Sequence, residues 1–183
     1  MKNDNMIKTH EEVLLKTPVF DVVQKTFENN HEPIGFKPVG LNCHDWVMII
    51  VLSRDKKMTV GVRQHRWGIE RETLEFPCGT VEENEQPVDA AIREFKEETS
   101  IDIDNLKEIA CFNPNAAYFN NTMHIFVGYA DLPRQFGELS LDEFEDCEPF
   151  IAKVEEIMPY LQEHAMGWAA IGALMSNGII KTR

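Results

Sequence analysis

Residues 46–52 read WVMIIVL, seven apolar side chains in succession with polar residues on both flanks. A strand turns successive side chains to opposite faces, so a strand with no polar member has no face to give to water. Seven residues is a strand's length, and Val and Ile favour the pleated conformation. The segment therefore demands apolar layers on both sides of a sheet.

The rest of the chain supplies material for those layers. Short β-prone runs at 18–27 and 33–39 precede the apolar block, and further strands are expected at 58–64, 73–76, 80–81, 106–112, 123–129 and 149–153. The spacing predicts a helix from Pro87, suited to the first helical position because its missing N–H has no partner there, to Thr99. Val88, Ala91, Ile92, Phe95 and Thr99 recur at steps of three and four and are expected to form its inward stripe. Two more helices are expected at 154–164, with Pro159 as a kink, and at 165–175. Strands and helices without strict alternation point to an α+β fold or an α/β/α sandwich. Residues 1–40 read as an N-terminal extension of strands, of which 12–40 are too thin to fold alone, and 41–183 as the main domain.

With 183 residues and 43% apolar content the chain can build a sizeable core. Eighteen basic against 31 acidic residues leave a net charge of −13, which argues against a nucleic-acid backbone as partner. Cys43, Cys78, Cys111 and Cys147 are scattered and read as free thiols, with no zinc or redox spacing. The polar N-terminus and the lack of a long apolar run suggest no membrane association and a cytoplasmic protein.

The chemistry concentrates between Gly79 and Ile101, GTVEENEQPVDAAIREFKEETSI. Glu94, Glu97 and Glu98 are neighbours on one helix, where like charges repel by roughly a few tenths of a kcal/mol per pair unless a cation lies between them. Hard divalent ions such as Mg²⁺ meet that need.

Gly79, Glu85, Arg93, Glu94, Glu97, Glu98 and Ile101 match the pattern G-x5-E-x7-R-E-U-x-E-E-x-G-U, where U is bulky and aliphatic. Phe95 and Ser100 depart from it. The segment resembles the box of the Nudix hydrolase family, and Arg63-Gln64-His65-Arg66 with Thr73–Gly79 (TLEFPCG) is similar to the framework of its ADP-ribose and nucleoside-diphosphate-sugar pyrophosphatase branch. The resemblance covers roughly residues 12–178.

It implies an α/β/α sandwich with a mixed central sheet, carrying the small N-terminal β extension. It further implies Mg²⁺, with Mn²⁺ possible, held by Glu94 and Glu98, by Glu97 at a second ion, and by the Cys78 carbonyl. Arg93 and Glu85 would be structural, as would Gly79. The general base would sit on the acidic loop LDEFEDCEPF, with Glu143 first choice and Glu145 second. Ser100 stands where a glycine would adopt a left-handed turn, an exchange costing up to about 1 kcal/mol.

Arg66 is a candidate phosphate ligand, because a guanidinium meets phosphate with planar, paired donors. Glu75 accompanies it as a substrate-side candidate. A base needs a flat ring to stack on; Phe20, Trp46 and Trp67 are available, with core packing the competing reading for Phe20 and Trp46. Family members of this branch commonly share the base pocket across a homodimer, and residues 12–40 fit that arrangement.

The reading is a metal-dependent pyrophosphohydrolase of ADP-ribose or a related nucleoside diphosphate sugar, a small-molecule substrate. Two alternatives stand beside it: a non-catalytic nucleotide-sugar sensor, and a nucleoside-triphosphate house-cleaning pyrophosphatase.

Overall fold

A computed structural model describes residues 5–141 and 146–181. The chain divides into two units, the described residues of Met1–His44 with Asn113–Thr122, and Asp45–Phe112 with those of Met123–Arg183.

The first unit is built on antiparallel strands. β1 (Met6–Lys16) pairs with β2 (Phe20–Asn29), which also pairs with the two-residue β3 (Glu32–Pro33) and with β4 (Val39–Cys43). Asn30 and His31 both have positive φ (52° and 67°), the conformation that a two-residue hairpin needs to match strand twist. Thr17 closes the β1–β2 turn, its hydroxyl donating to the Phe20 carbonyl at 2.6 Å and accepting from the Phe20 amide at 3.0 Å. In the segment Asn113–Thr122, the Tyr118 carbonyl accepts from the Leu41 amide at 2.7 Å. Two expectations change here. Residues 6–16, too polar to announce a strand, form the longest one described, because pairing with β2 satisfies their backbone. Residues 33–39 form no continuous strand: pairing stops at Pro33 and resumes at Val39.

The second unit is a mixed sheet between helices. Its strands are β5 (Trp46–Ser53), β6 (Met58–Arg66), β7 (Arg71–Glu75), β8 (Cys78–Thr80), β9 (Lys107–Phe112), β10 (Met123–Ala130) and β11 (Cys147–Lys153), in the order β11-β6-β5-β10-β9. β5 and β10 are parallel and the other pairings antiparallel. Helix α1 (Pro87–Thr99) follows β8; α2 (Val154–Leu161) and α3 (Ala165–Ser176) follow β11.

β5 is covered on both faces, as its sequence demands. Met48, Ile50 and Leu52 join one core with Ile157 and Leu161 of α2 and Ile171 and Leu174 of α3. Val47, Ile49 and Val51 join the other with Ala90, Ala91 and Phe95 of α1. Each such large side chain contributes about 1.5–3 kcal/mol of transfer free energy. The result is the expected α/β/α sandwich.

Both helix ends of interest depend on local chemistry. α1 starts at Pro87 and ends on Ser100, whose φ of 59° is left-handed. Its inward stripe is rotated from the expected one: Val88 is exposed and Ile92 half-buried, while Glu94, Phe95, Glu98 and Thr99 are buried. Ala91, Phe95 and Thr99 of the expected stripe are buried, and the stripe turns away from Val88 and Ile92 to take in two carboxylates. α2 stops at Leu161, short of residue 164, and His164 instead caps α3, its Nδ1 accepting from the Gly167 amide at 3.2 Å. A Cβ on Gly167 would stand 1.8 Å from the Leu161 carbonyl oxygen, so the two helices meet this closely only at glycine.

Candidate functional site

β5 and β6 touch at Leu52 and Thr59 and then separate, β7 continuing along β6 and β8 along β5. The connection through Phe76 and Pro77 crosses this split. In an antiparallel ladder, hydrogen-bonded and non-bonded pairs alternate. The Ile49 amide bonds the Pro77 carbonyl and the Val81 amide bonds the Asp45 carbonyl, so Cys78 and Thr80 are residues whose backbone groups turn away from β5. They turn toward α1: the Cys78 amide donates to Glu98 Oε2 and the Thr80 amide to Glu94 Oε1, each at 3.2 Å. The Cys78 carbonyl faces the same side.

Burying two carboxylates is costly without strong partners. Glu98 is fully buried and Glu94 nearly so. Arg93 supplies much of the compensation. Its Nη1 bonds Glu94 Oε1 at 2.9 Å and Glu97 Oε2 at 3.1 Å, while Nε and Nη2 make a paired contact with Glu85 at 3.0 and 2.9 Å. Nη2 also donates to the Thr80 carbonyl. The Glu85 bond and then the Glu94 contact raise the Arg93 pKa against the effect of burial, and the same guanidinium holds Glu85 below its ordinary value. Glu85 further accepts from the Glu82 amide, tying the loop to the helix.

Gly79 makes room for this arrangement. A Cβ there would lie 2.0 Å from Glu94 Cδ, inside the carboxyl group. The cradle thus presents oxygen atoms of Glu94, Glu98 and the more exposed Glu97, beside the outward carbonyl edge of β8, in a space a side chain would fill. A hard divalent cation fits this all-oxygen donor set. The Cys78 thiol is no competing ligand: burial, with Glu98 and Glu75 adding and Arg66 opposing, pushes it up to about 12.

Behind the cradle Arg66 is clamped. Its Nε donates to Glu75 Oε1 at 2.9 Å and its Nη2 to Glu75 Oε2 at 2.7 Å and to Cys78 Sγ at 3.2 Å. Thr73 donates its hydroxyl to the same carboxylate. Burial raises the Glu75 carboxyl, but the Arg66 bond and charge outweigh it and leave the pKa lowered. Burial likewise lowers Arg66, and the Glu75 bond and the neighbouring acids leave it raised. Arg66 is permanently charged here.

The NUDIX domain family model matches residues 44–170. The chain belongs to the Nudix family. Among curated relatives it is 28% identical over 119 residues to an ADP-ribose pyrophosphatase of Bacillus subtilis, covering 65% of this chain and 64% of that protein. It is 31% identical over 102 residues to an ADP-ribose pyrophosphatase of Haemophilus influenzae, covering 54% and 47%. It is also 26% identical over 117 residues to a methanol dehydrogenase activator of Bacillus methanolicus, covering 64% and 62%. The chain therefore spans less than two thirds of each of these relatives. A solved structure described as an ADP compounds hydrolase superposes with a TM-score of 0.72 at 20% identity, covering 98% of this chain and all of that one, and shares the fold.

The Nudix box thus lies on β8, the loop after it and α1, and Nudix enzymes as a group use divalent metal ions. The other anticipated residues are placed as follows. Trp46 opens β5 and packs against the core formed with α2 and α3. Phe20 opens β2 in the first unit and lines, with Thr17, Pro18, Asn42 and His44, a groove of about 270 Å³. Trp67 is largely exposed and meets His65 edge to face, ring centroids 4.6 Å apart. Arg63 pairs with Glu148 at the surface, at 2.9 Å. Glu143 and Glu145 lie outside the described residues. Sequence reading missed the part of Thr73 and Thr80, whose contributions are a hydroxyl and backbone groups that no motif spells out. Among the described residues no helix is long and apolar enough to cross a membrane.

Proposed function

We propose that this Nudix protein hydrolyses the pyrophosphate bond of ADP-ribose or a related nucleoside diphosphate sugar, releasing a nucleoside monophosphate and a sugar phosphate. The observation that carries the reading is the buried pair Glu94 and Glu98, each tied to a backbone amide of β8 and kept open by Gly79. The kinship to two ADP-ribose pyrophosphatases supports the choice of substrate.

Glu94, Glu98, Glu97 and the Cys78 carbonyl would hold Mg²⁺, or Mn²⁺ in its place. When bound, the ion neutralises charge on the phosphate oxygens and makes a bound water more acidic. Arg93 does the positioning, holding Glu94 and Glu97 at one guanidinium edge and Glu85 at the other. Arg66, oriented by Glu75, keeps its Nη1 donors for a phosphate oxygen. Glu143 or Glu145 would take the proton of the attacking water, and the nucleobase would stack on Trp46.

A homodimer and a cytoplasmic location complete the proposal. Ile7, Val13, Leu14 and Leu15 are exposed on β1, an apolar strip suited to a second copy. Cys43, Cys78, Cys111 and Cys147 are free thiols, as a reducing compartment keeps them.

The test is a hydrolysis screen over ADP-ribose, GDP-mannose, UDP-glucose, NADH and dGTP with Mg²⁺ and identified products. ADP-ribose should give AMP and ribose 5-phosphate, and Glu98→Gln should lower the rate at least about a hundredfold. Activity surviving that substitution would overturn the role of Glu98. A chain that binds these compounds but turns none over is a sensor, and one that prefers dGTP is a triphosphate hydrolase.

A further inference from the structure

A second group of metal-competent side chains lies away from the box. Glu108 and Cys111 on β9 and His124 on β10 bring one ligand atom each to within 4.8 Å of one another. Their meeting depends on a β-bulge. Residues three apart on a regular strand point to opposite faces. The β9–β10 register, however, runs His124↔Cys111 and Ile125↔Ala110 and then slips to Phe126↔Glu108, leaving Ile109 unpaired. His124 and Phe126 share a face, so the slip brings their partners Cys111 and Glu108 onto that face together. Bulges are a recognised means of re-aiming a side chain next to a functional site.

The histidine has a carboxylate near each ring nitrogen. Its Nδ1 lies 2.6 Å from Glu108 Oε1, on the side of the cluster, and its Nε2 looks toward Asp45 Oδ2 at 4.0 Å. At 4.0 Å Asp45 is beyond hydrogen-bond reach, and a shift of about 1 Å would make it the outer partner that usually fixes the tautomer of a metal-bound imidazole. The ring is mostly sheltered, whereas Glu108 and Cys111 are open to solvent, so an ion has a path in.

We infer that Glu108, Cys111 and His124 form a site for a zinc-class transition-metal ion, with Asp45 as outer partner of the histidine. A thiolate, an imidazole and a carboxylate make a mixed, partly soft donor set that favours Zn²⁺ or Co²⁺ over Mg²⁺. Bonds of about 2.0–2.3 Å around a tetrahedral ion bring ligand atoms to roughly 3.3–3.8 Å from each other, a small adjustment from the separations present. Three protein ligands leave the fourth position to water. On binding, the Cys111 thiol gives its proton to solvent.

The site is separate from the box. Cys111, His124, Val47 and Gly79 stand opposite one another on β9, β10, β5 and β8. Two strand spacings of about 4.8 Å separate His124 from the Gly79 cradle and three separate Cys111 from it, roughly 10 to 14 Å, on the same face of the sheet. That is too far for the two ions to share a phosphate oxygen. An ion here would clamp the edge strand β9 to β10.

Cobalt tests the assignment, because a thiolate ligand produces a near-ultraviolet charge-transfer band. The full-length protein in excess Mg²⁺ should develop that band with Co²⁺ and lose it when Zn²⁺ is added. Cys111→Ser should abolish the band, Cys43→Ser should keep it, and His124→Ala should weaken cobalt binding at least about tenfold. Zn²⁺ should raise the melting temperature of the wild type and not that of Cys111→Ser, whose fold is checked by circular dichroism. A missing band in the wild type, or an unchanged one in Cys111→Ser, would overturn the site. So would unchanged affinity in His124→Ala.

Discussion

Gly79 and Ser100 bracket the Nudix box and answer different physical demands. At Gly79 the constraint is space, since any Cβ would enter the Glu94 carboxyl group. Gly79→Ala should therefore displace Glu94, costing about 1–3 kcal/mol in urea unfolding and most of the hydrolytic rate. At Ser100 the constraint is backbone conformation, and the side chain offsets part of it. Its hydroxyl donates to the Thr99 carbonyl and accepts from the Gly137 amide, both at 2.5 Å. Ser100→Gly should stay within about 0.5 kcal/mol of wild type, relief of strain balancing the lost bonds, whereas Ser100→Ala should lose about 1 kcal/mol. Glu75→Gln leaves Arg66 without its paired carboxylate. With the Arg66 side chain 38% exposed, the loss should be about 1–3 kcal/mol, below that of a fully buried pair. The box residues were legible in the sequence because their identity is their chemistry. The clamp on Arg66 was not, because nothing in the spacing of Arg66, Thr73 and Glu75 says that β6 and β7 are paired.

Helix α1 serves packing and chemistry from adjoining positions. Phe95, fully buried against Val47, Ile49 and Val51, anchors it, and Phe95→Ala should cost about 3–5 kcal/mol by chemical denaturation. Two carboxyls beside the helix, Glu85 and Glu75, set a pH dependence. Glu85 is depressed chiefly by Arg93. Glu75, on β7, is depressed because the Arg66 contacts overcome the cost of burial. A carboxyl depressed in the folded state contributes stability above its unfolded pKa, near 4.5, and that contribution is lost as pH falls through the lower folded value. The urea midpoint should hold steady across neutral pH and fall below about pH 4.5, less steeply in Glu75→Gln. The helix limits followed from Pro87 and the box pattern. Its orientation did not, because hydropathy cannot announce that Glu94 and Glu98 will be buried with backbone amides as partners.

At the scale of the molecule, the first unit exposes an apolar strip that the proposed dimer would cover. Light scattering should give twice the mass of one chain, and Val13→Glu with Leu15→Glu should give a monomer. The segment Asn113–Thr122, between β9 and β10 in sequence, folds with the first unit, where Leu41 and Phe119 form a parallel bridge. Division of the chain at residue 40 does not anticipate that return, since it joins stretches some seventy residues apart and leaves no local signature.

By itself, the sequence determined the doubly covered strand, the limits of α1 and the acidic pattern of the box, because each rests on residue type and local spacing. The tertiary structure decided which carboxylates are buried, which guanidinium holds which acid, and that Glu108, Cys111 and His124 meet. Those depend on strand register and on the split between β5 and β6, where a shift of one residue sends a side chain to the opposite face.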